Sequence, residues 1–432
     1  MTRSALVPLL LATSLTTPAS TTPLAHREVL ANGMRLLVAP RPGVPVVVIR
    51  VHLRAGSAFD PPDAPGLANL TGELLTRGTA GRSGPEIDRA IEFVGGGLDS
   101  DVSRDGATLS LGVLKKDLEL GLDLLAEVLL TPAFPEDELR RKIDEIQGAL
   151  RRSEESPEAL AGRALARLIY PGHPYGHPVA GTVESVGRLT REQVVRFHRE
   201  RYRPDAATVA VVGDVTVDEM RDALGRRLGG WSAPSAPLAV VPEAPASAPA
   251  QTEAIARPDL TQATVYLGRP GIRQGHPDYF PLVVANYILG GGSASRLYTH
   301  VREERGLAYS VYSSLSPGRS GASFVVSLQT RADAVGEATR LVRDEMARMG
   351  RTPVDERELH LARAYLIGSF PLRLDTSHKL ADLLIAIEEH GLGLDYPARF
   401  KAEIAAVTAP DVQRVAAVYM DPSTFSSVVV GR

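Results

Sequence analysis

The sequence contains no cysteine among its 432 residues. Disulfide bonds, cysteine-based zinc sites, thiol nucleophiles and lipid anchors on cysteine are therefore excluded. Blocks of basic residues are also missing and the net charge is −3, so neither nucleic acid nor an acidic membrane surface is an expected partner. No G-x-S-x-G motif occurs, which removes the usual signature of Ser-His-Asp catalysis. The remaining composition is that of a globular protein, and at roughly 100–200 residues per domain the length predicts two or three domains.

The N-terminus carries an apolar run that indicates export. A basic residue precedes the apolar residues 5–15, and small and polar residues follow over 16–22. This order is typical of a secretory signal peptide, because the run is too short to span a bilayer. We predict a signal peptide over residues 1–25, with cleavage after Ser20 or Ala25, and hence a periplasmic or secreted protein. No later stretch reaches transmembrane length.

One change of composition divides the chain. Residues 232–256 are rich in Pro, Ala and Ser and carry almost no charge, which is typical of an extended linker. We predict that this linker joins an N-terminal domain over residues 26–231 to a C-terminal domain over residues 257–432. The N-terminal domain opens with a pattern that predicts a β-hairpin over residues 34–56, with a Pro-Gly turn at 42–43.

The two predicted domains repeat one order of patterns. Each has an alternating strand, an amphipathic helix, and then a Pro and an acidic pair that open a second long helix. The corresponding segments are 107–114, 117–130 and 134–150 in the first half, and 322–330, 332–346 and 352–368 in the second. Each half then closes with a helix and one apolar strand, at 189–214 and 407–432. This repetition predicts a duplicated α+β domain.

The segment GSAFDPPDAPGLANLTGELLTRGTAGRS, residues 56–83, resembles the zinc-motif region of the M16 peptidases, the pitrilysin and insulinase family. Gly-Leu-Ala at residues 66–68 matches the opening of that motif, and Gly-Thr at 78–79 matches its end at the same spacing. The resemblance continues through residues 173–190 and 290–314. It implies an α+β fold of two duplicated, homologous α/β-sandwich domains of the M16 metallohydrolase type, joined by a linker.

In active M16 members this helix carries His-x-x-Glu-His. The two histidines share one helix face and bind Zn²⁺, the glutamate activates water as the general base, and a distant glutamate completes the ligand set. In this chain the resemblance places the two histidines at Asn69 and Glu73. It places the base at Gly72 and the distant glutamate at Ala149. One carboxylate cannot replace three ligands and a base, so we predict no metal site and no peptide hydrolysis by this chain alone.

Three other groups of residues could carry chemistry. His173 and His177 are four apart, but the prolines around them prevent a helix that presents both on one face, so we predict a structural role in a loop. Glu-Glu-His at residues 388–390 occupies adjacent positions on a predicted helix, which favours a solvated face. The glycine run 290–292 is not followed by Gly-Lys-Ser/Thr, so we predict a helix C-terminus rather than a phosphate loop.

In active M16 enzymes the second half supplies an arginine and a tyrosine that reach the substrate at the zinc site. The stretch VREERGLAYSVYS, residues 301–313, matches this pattern and places the pair at Arg302 and Tyr309, with Gly306 at the turn between them. A guanidinium and a phenol can both donate hydrogen bonds to a peptide carbonyl, or to the oxyanion that forms from it. The resemblance therefore implies that the substrate-contacting residues are present.

Relative to the M16 pattern, the zinc-binding residues of the first half are thus replaced, while the substrate-contacting residues of the second half are present. This division implies an M16B-type, non-catalytic subunit of a heterodimeric zinc metallopeptidase that degrades peptides. The expected partner is an M16 subunit with an intact HxxEH motif, which carries the zinc, and no cofactor is expected in this chain. Two alternatives stay open: a scaffold or assembly protein without any reaction, and a stand-alone protein that binds peptides at an exposed sheet edge.

Overall fold

The computed structural model describes residues 23–432. The first half contains β1 (His26–Val29), β2 (Arg35–Pro40), β3 (Val46–Leu53), α1 (Leu67–Leu74), α2 (Gly84–Phe93), β4 (Gly97–Val102), β5 (Ala107–Leu114), α3 (Leu118–Leu130), α4 (Glu136–Ser153), α5 (Pro157–Ile169), α6 (Val183–Val186), α7 (Arg191–Arg201), β6 (Ala207–Gly213) and α8 (Val217–Leu228). The second half contains β7 (Thr252–Ala256), β8 (Gln262–Pro270), α9 (Tyr279–Gly290), a π-helical turn (Tyr298–Glu303), β9 (Ala308–Ser316), β10 (Ser323–Arg331), α10 (Val335–Arg351), α11 (Glu356–Ser369), α12 (Ser377–Glu389), α13 (Tyr396–Ala406), α14 (Ala409–Tyr419) and β11 (Ser426–Gly431).

The two halves share one sheet topology. The first sheet has the strand order β1-β2-β6-β3-β5-β4 and the second β7-β11-β8-β10-β9. In each sheet one parallel pair, β2 with β6 and β7 with β11, lies beside antiparallel strands. Apart from β1, the two orders correspond strand for strand, which confirms the predicted duplicated α+β fold. Strands β4 and β9 are corresponding edges of the two sheets.

The predicted hairpin over residues 34–56 is wrong in its pairing. Strands β2 and β3 form at the predicted places, but β6 lies between them, parallel to β2 and antiparallel to β3. Every residue of β6 is buried, so this strand requires a neighbour on each side and sheet-covering elements on both faces. The Pro-Gly turn therefore connects two strands that are separated in the sheet.

Each sheet is covered on one face by a helix from the other half of the chain. On the first sheet, Leu37, Val48 and Val212 form a cluster with Leu380 and Leu384 of α12. On the second sheet, Val428 and Val430 of β11 pack with Ala161, Ala164 and Leu165 of α5. Helices α5 and α12 occupy corresponding places in the repeat. The halves are thus joined by a reciprocal exchange of helices rather than by the linker alone.

The second domain begins earlier in the structure than the sequence predicts. The last five residues of the predicted linker form β7, which pairs with β11, so the second sheet begins at Thr252 rather than after residue 256. Residues 1–22, most of the predicted signal peptide, lie outside the described residues. Ala25, one of the two predicted cleavage positions, is buried in the cluster with α12. Among residues 23–432, none of the helices combines the length and the apolar composition of a membrane-spanning segment.

Candidate functional site

Helix α1, which carries three of the four predicted metal-site positions, is fixed at its N-terminus. The Asp60 carboxylate accepts hydrogen bonds from the backbone N–H groups of Gly66 and Ala68, both at 2.7 Å. Gly66 has a φ of 96°, and a Cβ atom there would lie 2.8 Å from the carbonyl oxygen of Ala180. Glycine suits both constraints, because it has no Cβ and adopts positive φ without strain. The helix is therefore held in place although its sequence lacks the zinc ligands.

The predicted metal-site positions lie on two helices that contact each other. Asn69, Gly72 and Glu73 are on α1, and Ala149 is on α4. Asn69 and Glu73 are one helical turn apart and share a face. Within residues 23–432, no group of three His, Asp or Glu side chains is placed to hold a metal ion. A single carboxylate does not fit catalytic zinc, which takes three protein ligands.

Lys142 on α4 supplies a positive charge at this place. Its ammonium nitrogen Nζ lies 3.3 Å from a carboxylate oxygen of Glu73 and 2.9 Å from one of Glu145. The hydrogen bond from Lys142 lowers the pKa of Glu145. The Lys142 side chain is only 10% exposed, so the pair lies partly inside the protein. Lys142 precedes Ala149 by seven residues, two helical turns on one face, and this spacing could have identified it from the sequence.

Side chains of strand β4 fill the space next to Gly72, where the resemblance places the general base. A Cβ atom at Gly72 would lie 2.4 Å from Cγ2 of Val102 and 3.4 Å from Oγ of Ser100. The Tyr202 hydroxyl lies 3.8 Å from the same point and has no hydrogen-bond partner within the described chain. Burial raises the pKa of Tyr202, so this hydroxyl is neutral. A side chain at position 72 would therefore require the Val102 side chain to move.

The two histidines of the loop have structural partners, as predicted. Nε2 of His173 lies 2.9 Å from the carbonyl oxygen of Pro242, and its Nδ1 accepts a 3.1 Å hydrogen bond from the Tyr175 N–H. Burial lowers the pKa of His177, whose Nδ1 lies 3.3 Å from the carbonyl oxygen of Pro178. The first histidine thus ties the middle of the interdomain segment to the first half.

The prediction of a solvated face at residues 388–390 is wrong. Glu389 has an 8% exposed side chain, and its carboxylate lies 3.7 Å from Nε2 of His52 and 3.2 Å from Nη1 of Arg319. Burial acts to raise the pKa of Glu389, but His52, Arg54 and Arg319 outweigh it and lower the pKa to about 2. Because His52 and Arg54 belong to the first half and Arg319 to the second, this carboxylate links the halves.

Arg302 lies on the π-helical turn that precedes β9. Its guanidinium carbon is 4.6 Å from the centre of the Tyr298 ring, and Nη1 donates a hydrogen bond to the Tyr298 hydroxyl. No carboxylate in the described part of the chain forms a salt bridge with Arg302. Tyr298 was not identified from the sequence, although its position one turn before Arg302 is the expected spacing for such a contact. The arginine is therefore oriented by an aromatic ring and keeps its charge unpaired.

Tyr309 is the additional residue of a β-bulge in the edge strand β9. Ser310 pairs with Gln329 and Ala308 pairs with Thr330, which places Tyr309 between the two pairs. A bulge twists the strand locally and redirects a side chain, and Tyr309 is 72% exposed. The predicted site tyrosine therefore points away from the core that the rest of β9 covers.

The turn predicted at Gly306 joins Arg302 to Tyr309. Gly306 has a φ of 60°, and its N–H donates a 3.1 Å hydrogen bond to the Arg302 carbonyl. Leu307 then bonds back to the carbonyl of Val301 at 3.0 Å. Both predicted substrate-binding residues therefore lie at the β9 edge of the second sheet. The glycine run 290–292 begins at the last residue of α9. A Cβ atom at Gly290 would lie 2.6 Å from the Ser313 backbone nitrogen, so the run marks a helix end that packs closely on β9.

Sequence comparison places the chain among known proteins. The profile of the insulinase family, peptidase family M16, matches residues 35–183, and that of the peptidase M16 inactive domain matches residues 188–366. An uncharacterized zinc protease of Mycobacterium leprae is 32% identical over 360 residues, which cover 82% of this chain and 79% of that protein. An uncharacterized zinc protease of Streptomyces coelicolor is 30% identical over 403 residues, 90% of this chain and 86% of that protein.

Solved structures agree with the sequence relatives. A peptidase M16 inactive domain from Pseudomonas fluorescens superimposes with a TM-score of 0.88 at 29% identity, covering 94% of this chain and 98% of that one. A protease from Helicobacter pylori superimposes with a TM-score of 0.89 at 20% identity, covering 95% of this chain and 100% of that one, which shows the shared fold. Fold, motif positions and relatives agree, and the chain belongs to the M16 family of insulinase-type peptidases.

Proposed function

We propose that this chain is a catalytically inactive M16 homologue that serves as the substrate-binding subunit of a heterodimeric zinc metallopeptidase. The observation that carries the proposal is an asymmetry between two sites in one chain. At α1 and α4, Glu73 forms an ion pair with Lys142, and Val102 fills the space that a general base at position 72 would need. At the β9 edge, Arg302 contacts the Tyr298 ring and forms no salt bridge within residues 23–432, and Tyr309 is exposed.

The zinc positions cannot perform hydrolysis because three separate requirements are unmet. The carboxylate of Glu73 is paired with Lys142, so a cation there would meet an ammonium group. Gly72 offers no base, and Val102 occupies the space that a base would need. Ala149 offers no ligand. A water molecule at this place would have neither a Lewis acid nor a proton acceptor.

The β9 edge is suited to binding an extended peptide. Among the described residues β9 pairs on one side only, so the backbone N–H and C=O groups of its other side can pair with another chain. Arg302 donates to the Tyr298 hydroxyl and retains further N–H groups of its five donors for a peptide carbonyl. At a zinc site in a partner, the same donors would stabilise the developing oxyanion.

The partner, the metal and the location follow from the same proposal. An M16 subunit with an intact HxxEH motif would provide zinc and base, and this chain would need no cofactor of its own. The predicted signal peptide supports a periplasmic or secreted location for this chain, and the proposed partner would have to share that location.

The experiment mixes this chain with a purified HxxEH-containing M16 subunit and follows cleavage of a quenched fluorescent peptide. We expect the mixture to be much more active than either chain alone, and a chelator to abolish the activity. Arg302→Gln and Tyr309→Phe should each lower kcat by about 10²–10³-fold, the usual effect of removing an oxyanion donor.

Arg305→Gln is the matched control, since Arg305 is exposed in the same turn and should leave activity unchanged. Equal activity of the partner with and without this chain would refute the proposal. So would an Arg305→Gln variant as defective as Arg302→Gln.

A further inference from the structure

A cavity of about 480 Å³ lies between the two halves, and its lining includes neither a residue of α1 nor Arg302. It forms where the β4–β5 turn meets the β9–β10 turn above the C-terminal part of α5. Its apolar lining includes Leu165, Ile169, Val325 and the ring of Tyr266. The volume falls within the range of about 300–1,000 Å³ that is usual for small-molecule sites.

Arg104 provides the charged group of this cavity. It is exposed, and its guanidinium carbon lies 6.0 Å from the centre of the Tyr175 ring. The turn that carries it is rigidly held, because the Ala58 N–H donates to the Arg104 carbonyl at 2.9 Å and the Ser103 N–H donates to the Gly106 carbonyl at 2.8 Å. Within residues 23–432 Arg104 forms no salt bridge.

The other charged group at the cavity is already bonded. One oxygen of Asp105 accepts a hydrogen bond from the Tyr175 hydroxyl, and the other accepts from the Arg319 N–H at 3.0 Å. Burial raises the pKa of Tyr170, also in the lining, to about 12. Arg104 is therefore the charged donor that stays available for a ligand.

We propose that the cavity binds an apolar carboxylate, namely an aromatic or branched aliphatic residue at the C-terminus of a peptide. The side chain would pack against Leu165, Ile169 and Val325, and the carboxylate would accept hydrogen bonds from Arg104. Ser316, the last residue of the edge strand β9, also lines the cavity. A peptide extended parallel to β9 would therefore end there. The site needs neither zinc nor a partner subunit.

The test titrates the full chain, by calorimetry, with three probes: N-acetyl-leucyl-phenylalanine, its C-terminal amide and 3-phenylpropionate. We expect the acid peptide to bind at least about tenfold more tightly than the amide, because the amide loses a charge-assisted hydrogen bond. Tighter binding of the peptide than of phenylpropionate supports a peptide end as the ligand. Equal binding of the two acids assigns the site to small apolar acids instead and overturns the peptide assignment.

Two variants separate the cavity from the rest of the surface. Arg104→Gln should remove the preference for the acid, whereas Arg140→Gln, an exposed arginine on α4, should keep it. Gly162→Leu should abolish binding by filling the cavity. A Cβ at Gly162 makes only a 3.8 Å contact with Tyr266, and leucine favours the helix, so this variant should fold. Equal binding of acid and amide, no binding of either, or binding by Gly162→Leu as by the parent chain would overturn the proposal.

Discussion

Restoring the zinc motif should not restore tight zinc binding while Lys142 is present. The four substitutions Asn69→His, Gly72→Glu, Glu73→His and Ala149→Glu would rebuild two imidazoles, a base and a third carboxylate on α1 and α4. The Lys142 ammonium, however, lies 3.3 Å from the present carboxylate at position 73. It would then face the metal ion instead of a carboxylate.

The charges and the packing set the size of this effect. Two unit charges about 4 Å apart interact by about 4 kcal/mol at an effective dielectric constant of about 20, and a divalent ion doubles the repulsion. Side-chain rearrangement relieves part of it, so we expect Lys142→Met to tighten zinc binding by the fourfold variant at least about 100-fold. Gly72→Glu also forces Val102 to move, which costs about 1–3 kcal/mol of folding stability.

The assay is competition for zinc with a chelating indicator, accompanied by thermal denaturation of each variant. Adding Val102→Ala should recover stability without tightening zinc binding, since it makes room for the glutamate alone. Lys116→Met is the control, because Lys116 is 76% exposed and should leave zinc affinity unchanged. If the fourfold variant binds zinc equally well with and without Lys142, the ammonium does not oppose the metal and the reasoning fails.

Two further predictions concern the link between the halves and the turn at the β9 edge. Glu389→Gln should lower the free energy of unfolding by about 3 kcal/mol at neutral pH, since the folded-state pKa of Glu389 is about 2 against an ordinary 4.5. This stabilisation is present above the ordinary pKa and is lost as pH falls toward 2. Urea denaturation should therefore show that the difference in free energy of unfolding between the parent chain and the variant shrinks below about pH 5. A difference that stays constant with pH would contradict the prediction. Gly306→Ala places a side chain at φ 60°, which costs about 1–2 kcal/mol of folding stability. It should reduce the activation of an HxxEH partner several-fold. Gly336→Ala is the control, because Gly336 lies within helix α10 and faces open space, and it should leave this activation unchanged.

Local patterns predicted single elements well. The alternating segment 107–114 is strand β5 with the same bounds, because every second side chain enters the core. The helix predicted over 117–130 is α3, which begins one residue later. Pairing was less predictable. No local pattern shows that β6, which is far away in sequence, lies between β2 and β3. The start of the second sheet was missed because β7 has the small, weakly charged residues that also suit a linker.

The sequence assigned residues to the candidate site, but it could not predict the surroundings of those residues. The family resemblance assigned the zinc positions to residues that lie on α1 and α4, and the arginine to a residue on the π-helical turn. Whether the space next to Gly72 is empty or filled depends on Val102. This contact joins helix α1 to the edge strand β4, which the local sequence around Gly72 does not show. The exposure of Tyr309 depends on a bulge against β10. Glu389 was misjudged because its helix packs on the sheet of the other half.

The exchange of helices explains how the chain can lack zinc ligands and keep its fold. Metal binding contributes folding energy where the ligands hold the elements together, but here α5 and α12 do so by burying apolar side chains on the opposite sheets. Each fully buried leucine or valine in these clusters contributes about 1.5–3 kcal/mol to folding stability. The burial of Leu380, Leu384 and Leu165 alone therefore stabilises the fold by more than a changed ion pair at α1 destabilises it. The N-terminus of α1 is fixed separately by Asp60. Changes at the zinc positions therefore leave the packing of α5 and α12 on the opposite sheets intact, and the fold that carries the β9 edge can persist without the metal.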